Sequence, residues 1–167
     1  MNRIDQLFDK KKNNILSIFF TAGYPRKDDT VSIIESLAEN GVDLIEIGVP
    51  FSDPLADGPV IQSASTQSLK NGMSVKLLFG QLADIRQRVS VPLILMGYLN
   101  PIIQFGAERY FKTAAECGID GLIIPDLPFD EYMESYKEIA EQYGLHVIML
   151  ITPETSEERI RLIDENT

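Results

Sequence analysis

Short runs of apolar residues alternate along this chain with longer stretches in which apolar residues recur at helical spacing. Runs that are apolar throughout are typical of strands buried on both faces, and the stretches between them predict covering helices. The pattern therefore predicts an α/β domain with a parallel sheet. We expect strands at Ile15–Thr21, Leu44–Val49, Val91–Met96, Gly121–Ile124 and Leu145–Ile151. We expect helices at Asn2–Lys11, Asp28–Asn40, Val60–Asn71, Val75–Val89, Ala107–Cys117, Glu131–Tyr143 and Ser156–Ile163.

Two architectures accommodate these units of strand and helix, a doubly wound open sheet and a β/α barrel, and composition does not separate them. A dinucleotide-binding open sheet would carry a glycine-rich turn after its first strand, and Thr21–Pro25 lacks the GxGxxG pattern. A barrel usually has eight strands and about 250 residues, whereas this chain has 167 residues. On the barrel interpretation we expect one domain over residues 1–167, apparently truncated after five βα units, with strands six to eight absent and two bare strand edges.

The net charge, the length of the apolar runs and the cysteine count each exclude a class of protein. The 25 acidic and 15 basic residues give a net charge of −10, the opposite of the basic face that nucleic-acid binding needs. No stretch approaches the roughly 20 apolar residues of a membrane-spanning helix. The chain has a single cysteine, Cys117, which excludes an internal disulfide, and we expect a cytoplasmic protein.

The segment Pro50–Pro59, with the sequence PFSDPLADGP, carries most of the functional information. Its prolines and glycine predict a fixed turn rather than a helix or strand. The turn follows the second strand and brings Ser52, Asp53 and Asp57 close to Glu46, which lies inside that strand. An unpaired carboxylate in an apolar strand costs several kcal/mol. Glu46 is therefore predicted to serve chemistry.

The alternation of the second strand predicts which of its faces holds the site. Leu44, Glu46 and Gly48 share one face, and the β-branched residues of the other face suit a helix layer. We expect the face with Glu46 to point inward, where Gly48 leaves room for a ligand.

Polar residues also follow the other strands, at the edge where parallel β/α folds place their active sites. Asn100, Asp126 and Thr152 lie there, and each is equally well interpreted as a turn former or helix cap. Asp53, Asp57 and Asp126 raise the alternative of a magnesium site, because oxygen-only clusters bind that ion. Prolines separate these aspartates, and we expect no metal.

Four motifs together carry a family resemblance. EIGVPFSDPLADGP is preceded by FFTAGYP and followed by MGYLNP and IIPDLP, and through them the chain resembles the tryptophan synthase alpha subunit over essentially its whole length. The resemblance implies the (β/α)8 barrel, of TIM-barrel type, with an N-terminal helix across its bottom. It also implies a carbon–carbon lyase of tryptophan biosynthesis, which cleaves indole-3-glycerol phosphate to indole and glyceraldehyde 3-phosphate in a retro-aldol reaction.

The resemblance further implies roles for particular side chains. Glu46 matches the acid–base glutamate of the family, and Asp57 matches the aspartate that faces the indole N–H. The apolar walls of the indole pocket are matched by Phe19, Tyr98, Ile123 and Met149. The surface that docks on the beta subunit is matched by Ser52, Asp53, Pro54 and Asn100. The implied assembly is an α2β2 heterotetramer whose pyridoxal phosphate belongs to the beta subunit, so that this chain carries no cofactor.

Two further residues are predicted to have no catalytic role, and the sequence argues against a second enzyme family. His146 begins the fifth strand at its amino end, away from the mouth, and is predicted to be structural. Cys117 lies at a helix end and is predicted to be a buried, inert thiol. A relative of indole-3-glycerol-phosphate synthase would need a catalytic lysine at a strand end, and the lysines here fall in predicted helices and the opening segment.

The resemblance does not extend to the part of the barrel that holds phosphate. In the family, glycine-rich turns after strands six to eight grip the phosphate, and a mobile loop after strand six closes the pocket. These segments have no match in the sequence. Without them, a large share of the energy of substrate binding would be lost. We therefore expect the family's reaction from a complete barrel. From this chain alone we expect an inactive fragment that docks on the beta subunit or self-associates.

Overall fold

A parallel sheet of five strands forms the centre of the computed structural model, which describes residues 1–167. The strands, neighbours in chain order, are β1 (Ser17–Thr21), β2 (Leu44–Gly48), β3 (Leu93–Met96), β4 (Gly121–Ile123) and β5 (His146–Ile148). The helices are α1 (Arg3–Lys10), α2 (Thr30–Glu39), α3 (Pro59–Lys70), α4 (Val75–Leu82), α5 (Leu99–Phe105), α6 (Ala107–Glu116), α7 (Phe129–Glu131), α8 (Lys137–Tyr143) and α9 (Glu157–Asp164). A 3₁₀ turn (Ile85–Gln87) follows α4, and a π-helical turn (Tyr132–Tyr136) joins α7 to α8. None of these helices combines the length and the apolar character needed to cross a bilayer.

The register of the sheet sorts its side chains into two apolar clusters. Ile45 and Ile47 of β2 pack outward in a large cluster with buried residues of the connecting helices. Leu44 packs on the opposite face, in a small cluster with Ile94 and Ile123. The predicted alternation of β2 is confirmed. Because the connecting helices cover one face only, the sheet is of the barrel type rather than doubly wound.

Helix α1 lies across the amino ends of the strands, as the resemblance implied. Asn2 caps the helix by accepting from the Ile4 N–H at 2.9 Å, and its Nδ2 donates to the Asp120 carbonyl at 2.7 Å. Ile4 packs into the inner cluster. His146 lies at the amino end of β5, where its Nε2 is 2.7 Å from Asp5 Oδ1. His146 therefore fastens α1 to the bottom of the sheet.

Asp120 is the ionic centre of this bottom end, and only 2% of the residue is exposed. Its Oδ1 accepts from Arg3 Nη1 at 3.0 Å, and its Oδ2 accepts from Arg86 Nη2 and from the Leu93 N–H. Burial lowers the pKa of the Arg86 guanidinium, and the Asp120 charge opposes that shift. The cluster joins α1, the 3₁₀ turn and the starts of β3 and β4.

Helix α5 was not predicted, because the sequence indicated only a turn after β3. The Leu99 N–H at its start donates to Asp126 Oδ1 at 2.8 Å. Pro101 stands in the first turn, where a missing N–H breaks no hydrogen bond. The helix has 7 residues and buries only Ile102, so its apolar periodicity is too short to be read from the sequence.

Cys117 is buried beside the outer cluster at the end of α6. Its Sγ lies 3.5 Å from the Phe79 carbonyl oxygen. Burial raises the pKa of the thiol, which disfavours the reactive thiolate. The prediction that Cys117 is buried is confirmed.

Candidate active site

A small cavity opens at the carboxyl ends of β1, β2 and β3. Four of the predicted site residues line it, namely Phe19, Pro54, Asp57 and Tyr98. Sequence reasoning missed several further lining residues, among them Thr21, Phe51, Ile61, Ser65, Met96 and Pro125. Met96 pairs with the inward-facing Gly48, so the alternation of side chains along β3 could have identified it. Nothing in the local sequence marks Ser65.

Asp57 is held in the cavity wall by the phenol of Tyr98. The Tyr98 hydroxyl donates to Asp57 Oδ2 at 3.2 Å and accepts from the Ala56 N–H at 2.9 Å. Burial, together with the nearby Asp57 charge, raises the pKa of Tyr98, so the phenol stays protonated as a donor. No protein group donates to Asp57 Oδ1, which leaves that oxygen available to a ligand.

The predicted turn Pro50–Pro59 is neither helix nor strand as far as Gly58, whereas Pro59 begins α3. The part that carries Asp57 is here called the Asp57 loop (Pro50–Gly58). It is anchored to α3 through Ser65. Ser65 Oγ accepts from the Phe51 N–H at 2.8 Å and donates to the Phe51 carbonyl at 2.9 Å. The Phe51 ring packs against the Tyr98 ring, with centroids 5.3 Å apart. The loop therefore has a backbone anchor and an aromatic contact.

Glu46 faces inward as predicted, but it does not line this cavity. The register pairs it with Phe19, one inward-facing position below Gly48. Its Oε1 accepts a 2.6 Å hydrogen bond from Ser17 Oγ at the start of β1. The carboxylate is thus bound toward the amino end of β1 and does not share a pocket with Asp57.

The space beside Gly48 is filled, contrary to the prediction that it leaves room for a ligand. A Cβ placed on Gly48 would lie 2.5 Å from Cζ and 2.8 Å from Cε2 of Phe19. The aromatic ring packs directly on the glycine backbone. A larger residue at this position would have to displace the Phe19 ring.

Two of the predicted wall residues lie outside the cavity. Ile123 is buried in the inner cluster with Leu44 and Ile94. Met149 follows β5 and packs against the outer cluster. The reason is the register, because Ile148 pairs with Ile123 and takes the inward position. The structure therefore does not bring Met149 to the cavity.

The residues predicted to dock on a partner lie in the Asp57 loop and in α5. Ser52 and Asp53 are exposed, and Ser52 Oγ donates to Asp53 Oδ2 at 2.6 Å. Pro54 is half-buried and also lines the cavity. Asn100 is exposed in the first turn of α5. The four residues combine an exposed polar tip with one wall of the pocket.

The alternative magnesium site does not assemble. No group of three or more His, Cys, Asp or Glu side chains in the structure could hold a metal ion. Asp126 bonds the first N–H of α5, and the Thr152 N–H donates to Thr155 Oγ1 at 2.9 Å. Asp126 therefore acts as a helix cap, and Thr152 acts as a turn former.

Comparison with known proteins agrees with the fold. The family model for the tryptophan synthase alpha chain matches residues 5–167. The alpha chain of Bacteroides thetaiotaomicron is 63% identical over 167 residues, and that of Parabacteroides distasonis is 60% identical over 167 residues.

Solved structures superpose on nearly the whole chain. The tryptophan synthase alpha subunit of Legionella pneumophila str. Paris matches 99% of this chain with a TM-score of 0.93 and 40% identity. A chain of the tryptophan synthase complex from Pyrococcus furiosus matches 93% of this chain with a TM-score of 0.86 and 35% identity.

The chain spans 65% of the length of the Bacteroides and Parabacteroides relatives and 64% of the Legionella structure. In both relatives the match covers 100% of this chain. The chain belongs to the tryptophan synthase alpha chain family.

Proposed function

We propose that the complete protein cleaves indole-3-glycerol phosphate to indole and glyceraldehyde 3-phosphate. The observation that carries the proposal is a carboxylate, Asp57, held by a phenol in the wall of a largely apolar pocket at the strand ends. Aromatic and aliphatic walls suit an indole ring, and the carboxylate suits its N–H. Membership of the alpha chain family supports the same reaction.

The reaction requires two proton movements. A proton is added to the indole ring carbon that bears the side chain, and the bond from that carbon to the glycerol carbon then breaks. Its electron pair returns to the ring, while the adjacent hydroxyl loses a proton and becomes the aldehyde. One carboxyl group in reach of both atoms can give the first proton and take the second, so that no net proton is consumed. We assign this role to Glu46.

Positive charge develops at the ring nitrogen when the ring carbon is protonated. An ionised carboxylate directed at the N–H stabilises that charge most effectively if it is already oriented before reaction. Asp57 is suited to this role because Tyr98 binds its Oδ2 and Oδ1 has no protein partner. Phe19 and Tyr98 are the walls that we propose for the ring, and Ile123 and Met149 would reach it only through a different local arrangement.

Glu46 must turn for this mechanism to operate. Its carboxylate is bound to Ser17 in the structure and lies outside the cavity. Release of one hydrogen bond to an exposed serine is an inexpensive step, since a single hydrogen bond to a charged group contributes about 1.5–3 kcal/mol. We propose that substrate binding is accompanied by rotation of Glu46 toward the ring carbon.

We further propose that the exposed tip of the Asp57 loop and Asn100 dock on a tryptophan synthase beta subunit, in an α2β2 complex. The pyridoxal phosphate of that complex would reside in the beta subunit. The tip is well placed for this role because Ser52 and Asp53 are exposed next to Pro54, which lines the cavity. Docking there would couple the partner to the pocket wall.

A docking protein without catalysis is the second candidate, and the position of Glu46 outside the cavity favours it. One experiment separates the two candidates. Purified complete protein is mixed with indole-3-glycerol phosphate, alone and with beta subunit, while indole release and light scattering are recorded. Indole release supports the lyase, a complex without indole release supports docking alone, and neither signal would refute both proposals. The polypeptide of residues 1–167, assayed in parallel, tests whether this part suffices.

A further inference from the structure

One face of α3 holds the chain segments that follow β1 and β2. Ser65, Ser68 and Asn71 lie three residues apart on this face, and each bonds to backbone of one of these segments. Ser68 Oγ donates to the Ala22 carbonyl. Asn71 Nδ2 donates to the Gly23 carbonyl at 2.9 Å. Of the three, only Ser65 bonds to the Asp57 loop, whereas Ser68 and Asn71 bond to the segment that follows β1.

We propose that Ser65 is a positioning residue for the lyase reaction, an inference that rests on the function proposed above. Only 4% of Ser65 is exposed. Its hydroxyl bonds both polar groups of the Phe51 backbone, the N–H at 2.8 Å and the carbonyl at 2.9 Å. A single side chain thereby fixes the start of the Asp57 loop.

The contacts of Phe51 carry this constraint to the carboxylate. The Phe51 ring lies 5.3 Å from the Tyr98 ring. The Tyr98 hydroxyl in turn binds the Ala56 N–H and Asp57 Oδ2. The loop is consequently pinned at its start by Ser65 and near its end by Tyr98. Gln62 Nε2 also donates to the Asp57 carbonyl at 2.9 Å, but that bond does not reach the start of the loop, which Ser65 holds.

Loss of the Ser65 hydroxyl would leave the Phe51 N–H and carbonyl without partners in a partly buried place. Unpaired polar groups are stabilised by hydrogen bonds to water, so the loop would shift until water could reach them. Because misplacement of a catalytic group by about 1 Å can lower the rate 100-fold, a modest shift of Asp57 is enough to be measured.

Ser68→Ala is the matched control for Ser65→Ala. Both serines are buried on the same helix, and both bond a backbone carbonyl, but Ser68 holds the segment after β1. Ser65→Thr keeps the hydroxyl and serves as the conservative variant. Ser65→Cys keeps the side-chain volume and weakens the hydrogen bonds, so it replaces the alanine variant if that variant does not fold.

Two measurements are made on the complete protein, amide hydrogen exchange and steady-state kinetics. In Ser65→Ala we expect faster exchange over residues 51–58, with kcat reduced about 10- to 100-fold and KM within about 3-fold. Ser68→Ala should leave both unchanged, and Ser65→Thr should restore both. Unchanged exchange over residues 51–58 in Ser65→Ala, or an equal loss of kcat in the two alanine variants, would overturn the proposal.

The exchange measurement separates this inference from the proposed function. If the unsubstituted protein releases no indole, the lyase proposal fails, and the catalytic role of Ser65 fails with it. Loop exchange in Ser65→Ala and Ser68→Ala still decides whether Ser65 holds the loop. Faster loop exchange without any change in kcat, in an active protein, would show that the loop anchor does not position Asp57 for the reaction.

Discussion

Two carboxylates at the bottom of the sheet and the two candidate catalytic carboxylates are bonded in opposite ways. At the bottom, Asp120 accepts from two guanidinium groups and a backbone N–H. Asp43, near the same end, accepts from Lys11 and from the Leu16 N–H. On the inner face and at the mouth, Glu46 and Asp57 each accept one hydrogen bond from a neutral hydroxyl.

The difference separates carboxylates that hold the fold from carboxylates that are available to a substrate. A carboxylate saturated by cations and backbone donors has no acceptor site left for a ligand. One that accepts a single neutral hydroxyl keeps both its charge and free acceptor sites. The bottom is therefore expected to determine stability, and the mouth to determine activity.

The largest expected effect is that of Glu46→Gln on activity. The amide is nearly isosteric but cannot donate and recover a proton as a carboxylic acid does, so kcat should fall about 10²- to 10⁴-fold. Indole release from indole-3-glycerol phosphate measures it. Urea unfolding serves as the control, and its midpoint should barely move because Glu46 loses only its contact with Ser17. Near wild-type indole release would refute the acid–base role.

Asp120→Ala should be the most destabilising change at the bottom. It leaves the Arg86 guanidinium and the Leu93 N–H without their carboxylate partner, a loss of about 3–5 kcal/mol for a buried pair. Urea unfolding measures the loss. Asp130→Ala removes an exposed ion pair with Arg159 and is the control, with an effect below about 1 kcal/mol. Equal effects of the two changes would mean that burial of Asp120 does not matter.

Asp57→Asn removes the charge at the mouth while preserving the bond from Tyr98. We expect kcat to fall about 10²- to 10³-fold, as for loss of one preorganised group that stabilises developing charge. Stability should change little, because the single partner is a neutral phenol. A stability loss as large as that of Asp120→Ala would contradict the contrast between the two ends.

Ser17→Ala tests whether the resting hydrogen bond withholds Glu46 from the cavity. Removal of the 2.6 Å bond frees the carboxylate, so kcat should rise about 10- to 100-fold, the size expected from a net contribution of about 1.5–3 kcal/mol for a hydrogen bond to a charged group. Kinetics on the complete protein measure the change. A fall in kcat would show instead that Ser17 supports the active position of Glu46.

The smallest expected effect is the pH dependence contributed by Asp43. The Leu16 N–H, and then Lys11, lower the pKa of Asp43 in the folded state. Its contribution to stability is therefore present above the unfolded pKa of about 3.9 and is lost as the pH falls through the lower folded value. The urea midpoints of wild type and Asp43→Asn should differ at pH 7 and converge in acid. A gap that widens in acid would reverse the assigned sign.

The sequence predicted the elements better than their contacts. All five strands and the inward face of β2 were predicted, because buried strands and their alternation are local patterns. Helix α5 was missed because its 7 residues bury a single side chain. Of the predicted site, Phe19, Pro54, Asp57 and Tyr98 meet in one cavity. The hydrogen bond of Glu46 to Ser17 and the outward packing of Met149 could not be predicted, because both depend on the register of the sheet.

By itself the sequence determined a parallel α/β fold, a rigid turn after β2 and a family of lyase subunits, since hydrophobic periodicity, prolines and motifs are all encoded by neighbouring residues. Only the tertiary structure decided which partners the polar groups choose. Arg3 reaches Asp120 across 117 positions of sequence, and Ser65 reaches Phe51 across 14. Such pairings depend on how strands and helices pack in three dimensions, and that packing decides that Asp57 keeps a free carboxylate oxygen while both oxygens of Asp120 are used.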